Sequence, residues 1–297
     1  MGQMIDGVWE PVDRKITAAD GSFVRTASSF RGTIPVATPG RYHLYVSLAC
    51  PWAHRTLIFR RLKGLEAAIG LSITHWLMAE QGWNFAPGEG VVPDPGGAAA
   101  MHEIYRRADP QFTGRVTVPV LWDNHTGSIV NNESAEIIRI FNAVGEGPDF
   151  CPEALRPEID AINARVFEAV NNGVYRAGFA TTQAAYDTAV AALFDTLDWL
   201  ETRLSAQPWL CGDVLTEADW RLFPTLIRFD AVYVAHFKCN IRRLADYPAL
   251  QAYTKRLYRM PGIAQTCDFD HIKRHYFQSH RHLNPGGIVP AGPVLDF

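Results

Sequence analysis

From Tyr42 to Ser47 the chain runs through His43, Leu44, Tyr45 and Val46, a β-rich stretch that predicts a strand. Past Cys50, Pro51 suits a first helical position, because its missing N–H is not needed there. Helical spacing continues through Leu57, Ile58, Arg61 and Leu62, and Gly64 offers a stop. Leu71–Met78 predicts a second strand, so Tyr42–Met78 forms a βαβ unit. Residues 79–115 are rich in Pro and Gly, with one short helical patch near Ala98–Arg107. Val116–Trp122 predicts a strand interrupted by Pro119. Asp123–Gly127 makes a turn, Ser128–Val130 returns as a hairpin, and Glu133–Phe141 predicts a helix. Beyond Pro152 the pattern turns wholly helical: Pro157–Tyr175, Ala184–Leu204, Glu217–Asp230 and Tyr247–Met260, then a shorter helix near Ile263–Phe277. Thr216 and Asp219 resemble a capping box at the start of one of these helices.

The implied architecture is a thioredoxin-like α/β domain followed by an all-α helical bundle. The segments are an N-terminal extension over 1–40 with little regular structure, an α/β domain over 41–145, a helical domain over 152–283 and a Pro/Gly-rich tail over 284–297. The length of 297 residues accommodates two domains. With 47% hydrophobic and 20% charged residues, the composition is that of an ordinary globular protein. A net charge of −3 gives no general attraction to nucleic acid or to anionic membrane, and neither is expected as a partner. No apolar run is long enough to span a bilayer, and the start lacks the blocks of a signal peptide. The five cysteines, Cys50, Cys151, Cys211, Cys239 and Cys267, are odd in number and widely spread, which suits a reducing cytoplasm.

Cys50 carries the most chemistry. The strand-to-helix turn puts its thiol at a helix N-terminus, where free amides and the helix dipole favour a thiolate. The dipole alone supplies about 0.3–1 kcal/mol, under one pKa unit at about 1.36 kcal/mol per unit. Hydrogen bonds from the Trp52 and Ala53 amides to the sulfur are the expected remainder. Ala53 occupies the position of a resolving thiol in a Cys-x-x-Cys pair. A mixed disulfide on Cys50 therefore needs an external thiol to release it, and glutathione is the abundant intracellular candidate.

Pro119 inside a strand is costly unless it has a purpose. In a thioredoxin-like domain this proline is cis and faces the cysteine, leaving the N–H and C=O of Val118 to pair with an extended peptide. Glu133 and Ser134 open the next helix, where amides and the Ser134 hydroxyl can grip a carboxylate; a plain helix cap is the alternative. Arg115 can pair with a second carboxylate. A thiol, a peptide-binding edge and carboxylate grips together describe a glutathione site.

The segments Tyr45–Arg55, Thr113–Asp123, Asn131–Ser134, Asn171–Ala180 and Phe229–Tyr233 resemble the Xi class of glutathione transferases, the glutathionyl-hydroquinone reductases. Phe23–Arg31 and Asn284–Pro290 fit as well, so the resemblance covers nearly the whole chain. It implies that Cys50 is the nucleophile and that Trp83, Arg115, Val118, Glu133 and Ser134 contact glutathione. It also implies that Tyr175, Tyr233 and Tyr276 line a quinol pocket, that glutathione is the co-substrate and that the protein is a homodimer. The structural alternative for each tyrosine is a packed aromatic in a helical core.

No metal is expected: His271, His275, His280 and His282 show no zinc-ligand spacing. Gly88-Glu89-Gly90 lacks the setting of a phosphate loop. Three functions stay open at this point. The first is glutathione-dependent reduction of glutathionyl-hydroquinones. The second is an Omega-like thioltransferase or dehydroascorbate reductase, against which the three tyrosines speak. The third is a non-enzymatic binding module of glutathione-transferase fold, against which an activated Cys50 speaks.

Overall fold

The structure is a computed structural model that describes residues 2–11 and 16–297. In chain order the strands are β1 (Gln3–Ile5), β2 (Val8–Glu10), β3 (Tyr42–Val46), β4 (Ile69–Ile73), β5 (Val120–Asp123) and β6 (Ser128–Asn131). The α-helices are α1 (Pro51–Leu62), α2 (Met101–Ala108), α3 (Ser134–Val144), α4 (Arg156–Val166), α5 (Gly173–Gly178), α6 (Gln183–Ala206), α7 (Glu217–Arg228), α8 (Val234–His236), α9 (Pro248–Tyr258) and α10 (Phe269–Ser279). Two compact units result. The first comprises Met1–Arg14, Thr26–Pro148 and Gln265–Ile288; the second comprises Lys15–Arg25, Asp149–Ala264 and Val289–Phe297.

The first unit is built on a mixed sheet in the order β4-β3-β5-β6. β3 pairs parallel with β4 and antiparallel with β5, and β5–β6 is the expected hairpin. β3 is buried along its whole length, and helices α1 and α3 pack against each other beside the sheet. β5 begins at Val120, not Val116, because Pro119 has no N–H to give a ladder. β4 starts earlier and stops sooner than Leu71–Met78. After Thr74 N–H bonds Val46 O (2.8 Å), the backbone leaves the sheet, and His75 N–H bonds Asn84 O instead (2.8 Å).

The extension over 1–40 holds more regular structure than its sequence suggests. β1 and β2 form a hairpin, and Met4 exchanges backbone bonds of 2.8 and 3.0 Å with Gly114. Residues 28–32 lie along the end of β6 and the turn before α3: Gly32 N–H bonds Val130 O (2.7 Å) and Asn132 N–H bonds Phe30 O (3.1 Å). The compact units also divide the chain differently from its sequence segments. Although α10 follows the helical run, it belongs to the first unit. His275 Nδ1–H donates to Trp76 O (2.9 Å), and Ser279 Oγ accepts from Met78 N–H (3.0 Å).

The second unit packs α4 to α9. Thr216 and Asp219 close the capping box, with Asp219 fully buried and accepting from Leu210 N–H (2.9 Å), Thr216 N–H (2.8 Å) and the Tyr253 hydroxyl (2.9 Å). One expected helix, Pro157–Tyr175, is interrupted by a π turn, and another, Glu217–Asp230, runs into one at its end. Phe167–Asn171 and Phe229–Tyr233 each widen by one residue, closing through Asn172 N–H to Phe167 O (2.8 Å) and Val234 N–H to Phe229 O. Pro224 lies one turn before the second widening, and Arg228 Nη1 donates to its carbonyl (2.9 Å).

Candidate active site

Cys50 is the N-cap of α1, with extended backbone angles of φ −75° and ψ 119°, and is 8% exposed. Pro51 starts the helix as expected, and His54 N–H closes the first turn on Cys50 O (2.9 Å). The thiol differs from expectation in one respect. Its side chain makes no capping bond to the first-turn amides; Sγ points to Val118 O at 3.5 Å. The Val118–Pro119 bond is cis, and Val118 is buried. The sulfur and the backbone edge read from the sequence are thus brought together.

Glu133 is the N-cap of α3, and its carboxylate accepts from Ala135 N–H (3.1 Å) and from the Ser28 hydroxyl (2.9 Å). The helix-cap reading of Glu133 holds, and one of the amides available to an anion is taken by this carboxylate. Ser134 is buried, and its Oγ accepts from Arg55 Nη1 at 3.4 Å. Arg115 is half-buried next to Gly114, the residue paired to β1, and three positions before Val118. Trp83 is 8% exposed and stacks on His275, with ring centroids 4.8 Å apart and planes 17° apart. Tyr276, 1% exposed, meets the same imidazole edge-on at 5.3 Å. The first unit therefore holds Cys50, all five glutathione candidates and Tyr276.

Tyr175 and Tyr233 belong to the second unit. Tyr175 is half-buried on α5 and Tyr233 is fully buried in the second π turn; their rings lie 6.2 Å apart. Phe237 packs against both, edge-on to Tyr175 at 5.3 Å and stacked on Tyr233 at 5.5 Å.

Two supporting residues escaped the sequence reading. Arg55 is 2% exposed on α1, with its guanidinium 4.7 Å from the Trp52 ring centroid and its Nη1 on Ser134. A cation in the first turns of a helix runs against the helix dipole, which was the available signal. Tyr105 on α2 is completely buried. Its hydroxyl donates to Thr117 O (3.1 Å) and accepts from Thr117 N–H (3.3 Å) and Asn132 Nδ2 (3.0 Å). Burial holds this phenol above its usual range. It ties the residue before Val118 to the residue before Glu133, so one hydroxyl links the neighbours of both candidate grips. Among the described residues, no group of three or more His, Cys, Asp or Glu side chains could hold a metal ion.

A β4-β3-β5-β6 sheet with a cysteine at the head of its first helix, joined to a helical unit, defines the class: a glutathione transferase fold. Residues 49–144 match the glutathione S-transferase N-terminal domain and residues 183–256 the C-terminal domain. The glutathionyl-hydroquinone reductase PcpF of Sphingobium chlorophenolicum is 55% identical over 99% of this chain and 97% of its own. The glutathione-bound structure of YqjG, a glutathione transferase homologue from Escherichia coli, is 49% identical. It superposes with a TM-score of 0.89 over 99% of this chain and 96% of that one. A Xi-class glutathione transferase from Natrialba magadii, 46% identical, superposes with a TM-score of 0.94 over 100% and 95%. The chain belongs to the Xi class of glutathione transferases.

Proposed function

We propose that the protein reduces glutathionyl-hydroquinones to hydroquinones at the expense of glutathione, with Cys50 as nucleophile. The observation that carries this reading is the thiol at the head of α1, 3.5 Å from the Val118 carbonyl, with Ala53 where a second thiol would stand. The Cys50 thiolate attacks the sulfur of the glutathionyl adduct. A sulfur–sulfur bond forms, the carbon–sulfur bond breaks, and its electron pair goes to the ring carbon, which takes a proton as hydroquinone leaves. A second glutathione, as thiolate, then attacks the mixed disulfide, releasing glutathione disulfide and regenerating Cys50. Atoms and electrons balance as one quinol adduct plus one free glutathione giving one hydroquinone plus one glutathione disulfide, so this route calls for no metal.

In this reading residues 41–145 bind glutathione, and the helical unit together with Tyr276 on α10 supplies the quinol side. The backbone of Val118 pairs with the peptide of glutathione. Ser134 and the opening of α3 take one carboxylate, the Glu133 carboxylate suits an ammonium, and Arg115 takes the other carboxylate. Trp83, held flat by His275, offers a surface for the peptide. Tyr175, Tyr233 and Tyr276 serve the quinol oxygens and the proton transfer. PcpF and YqjG carry the name glutathionyl-hydroquinone reductase, which favours this substrate over the small disulfides of an Omega-like enzyme. A homodimer in the glutathione-rich cytoplasm completes the proposal, and the five free thiols suit that compartment.

The test is direct. The protein is incubated with a glutathionyl-hydroquinone and excess glutathione, and free hydroquinone and glutathione disulfide are measured. Equal amounts of both are expected. Consumption of glutathione without hydroquinone release would exclude the reaction.

A further inference from the structure

Residues 16–25 are built onto the helical unit at the joint between α5 and α6. Thr17 and Phe23 form an antiparallel bridge, and Ala18 N–H bonds Ser22 O (2.8 Å), closing a tight loop. Gly21, at φ +86°, lies where a Cβ would stand 2.6 Å from the Thr182 side chain, so only glycine permits this approach. Gly21 O accepts from Thr181 N–H (3.1 Å), and Asp20 O accepts from the Thr182 hydroxyl (2.9 Å), which also caps α6. The loop is therefore anchored through its backbone.

Beyond this anchor, two side chains reach Tyr175. Phe23 stacks on the Tyr175 ring with centroids 6.3 Å apart and planes 29° apart, and touches Phe179 at 5.5 Å. The Arg25 guanidinium lies 5.1 Å from the Tyr175 ring centroid and 5.3 Å from that of Phe23. Arg25 Nε donates to Asn172 Oδ1 at 2.8 Å. Asn172 also closes the first π turn through its own N–H, so the guanidinium is fixed to the same backbone that carries Tyr175. Arg25 is exposed and Tyr175 half-buried, so the pair faces outward, unlike Tyr233.

We infer that the N-terminal segment is a working part of the quinol side: Arg25, backed by Phe23 and tied to Asn172, is a positioning residue that holds the Tyr175 ring for the hydroquinone. A cation over a phenol ring fixes the ring, which suits a group that must stand at a set distance to hand a proton to a leaving aromatic. This rests on the assignment of Tyr175 to the quinol.

The experiment compares Arg25→Lys, Arg25→Gln, Tyr175→Phe and the Arg25→Gln/Tyr175→Phe double variant in the full chain. Each is assayed on a glutathionyl-hydroquinone and on a small glutathione mixed disulfide, which reports on fold and thiol chemistry. Arg25→Gln should lower kcat on the hydroquinone adduct by about threefold to tenfold, as expected for one lost cation–ring contact and its hydrogen bond. KM for glutathione and mixed-disulfide reduction should hold. Arg25→Lys should restore most of the loss, and the double variant should be no slower than Tyr175→Phe alone. If Tyr175→Phe is slow while Arg25→Gln matches the parent, the positioning role is overturned and the tyrosine assignment stands. Additive losses in the double variant overturn it too, because Arg25 would then act apart from Tyr175. If Tyr175→Phe is fully active, the assignment of Tyr175 itself fails, and the inference falls with it.

Discussion

The two units hold different kinds of candidate parts. In the first, most of the proposed parts sit where backbone ends: the head of α1 at Cys50, the edge at Val118, the head of α3 at Glu133 and Ser134, with the Trp83 and Tyr276 rings flanking His275 as the exception. In the second, the proposed parts are rings: Tyr175, Tyr233, Phe179 and Phe237 contact one another with centroids 5.1 to 6.2 Å apart, beside two π turns. Backbone ends are set by short local motifs and suit an invariant ligand such as the glutathione peptide. Ring clusters are set by distant packing and can be altered ring by ring, which suits an aromatic substrate of variable substitution.

The sharpest way to break this division is Cys50→Ala. It should lower hydroquinone release by about three orders of magnitude or more, because the covalent route is lost. Substitution of Cys151, Cys211, Cys239 or Cys267 should cost far less. Steady-state rates on the five single variants decide, and a fully active Cys50→Ala would end the thiol mechanism.

Next in size is a stability effect confined to the helical unit. Asp219→Ala strands the Leu210 and Thr216 amides and the Tyr253 hydroxyl in a buried site. At about 1–3 kcal/mol per stranded group, the loss should reach about 3 kcal/mol or more. Calorimetric unfolding measures it; an unchanged melting temperature would contradict the capping role.

Tyr105→Phe probes the first unit in the same manner. Removing the hydroxyl that links Thr117 to Asn132 should cost about 1–3 kcal/mol of stability, and KM for glutathione should rise as Val118 and Glu133 lose their common tether. A rise in stability loss alone, with KM untouched, would make Tyr105 purely structural.

The smallest effects sharpen the comparison most. Tyr→Phe at positions 175, 233 and 276 each removes one hydroxyl, a loss of about 0.5–1.5 kcal/mol. Hydroquinone release should slow by about a few-fold to tenfold at about 1.4 kcal/mol per decade, while small mixed-disulfide reduction barely moves. Equal losses on both substrates would make the rings structural and favour an Omega-like activity.

Legibility in the sequence follows the same division. Pro51, the hairpin turn at Asp123–Gly127 and the Thr216–Asp219 box act within a few residues, so their elements formed where the pattern put them. The π turns left no mark in the periodicity, because a bond from residue i+5 in place of i+4 is set by the packing around the helix. Helix α10 read as one more helix of the run, since nothing in its periodicity says that His275 and Ser279 bond Trp76 and Met78. The contribution of residues 1–40 was hidden for the same reason: strands of three residues and single side chains such as Arg25 gain their meaning only from distant partners. At the site, the Cys50 turn was plain in the sequence, yet the direction of its thiol was not. A side-chain rotamer at an N-cap answers to Val118 across 68 residues of chain, not to Trp52 and Ala53 beside it.

The central claim is that Cys50 itself carries glutathione between the two halves of the reaction. Intact-mass analysis after treatment with one equivalent of glutathionyl-hydroquinone, in the absence of free glutathione, tests it most directly. The account predicts one glutathionyl group per chain, located on Cys50 by peptide mapping, with an equal amount of hydroquinone released. Hydroquinone released from a protein that stays unmodified would contradict it.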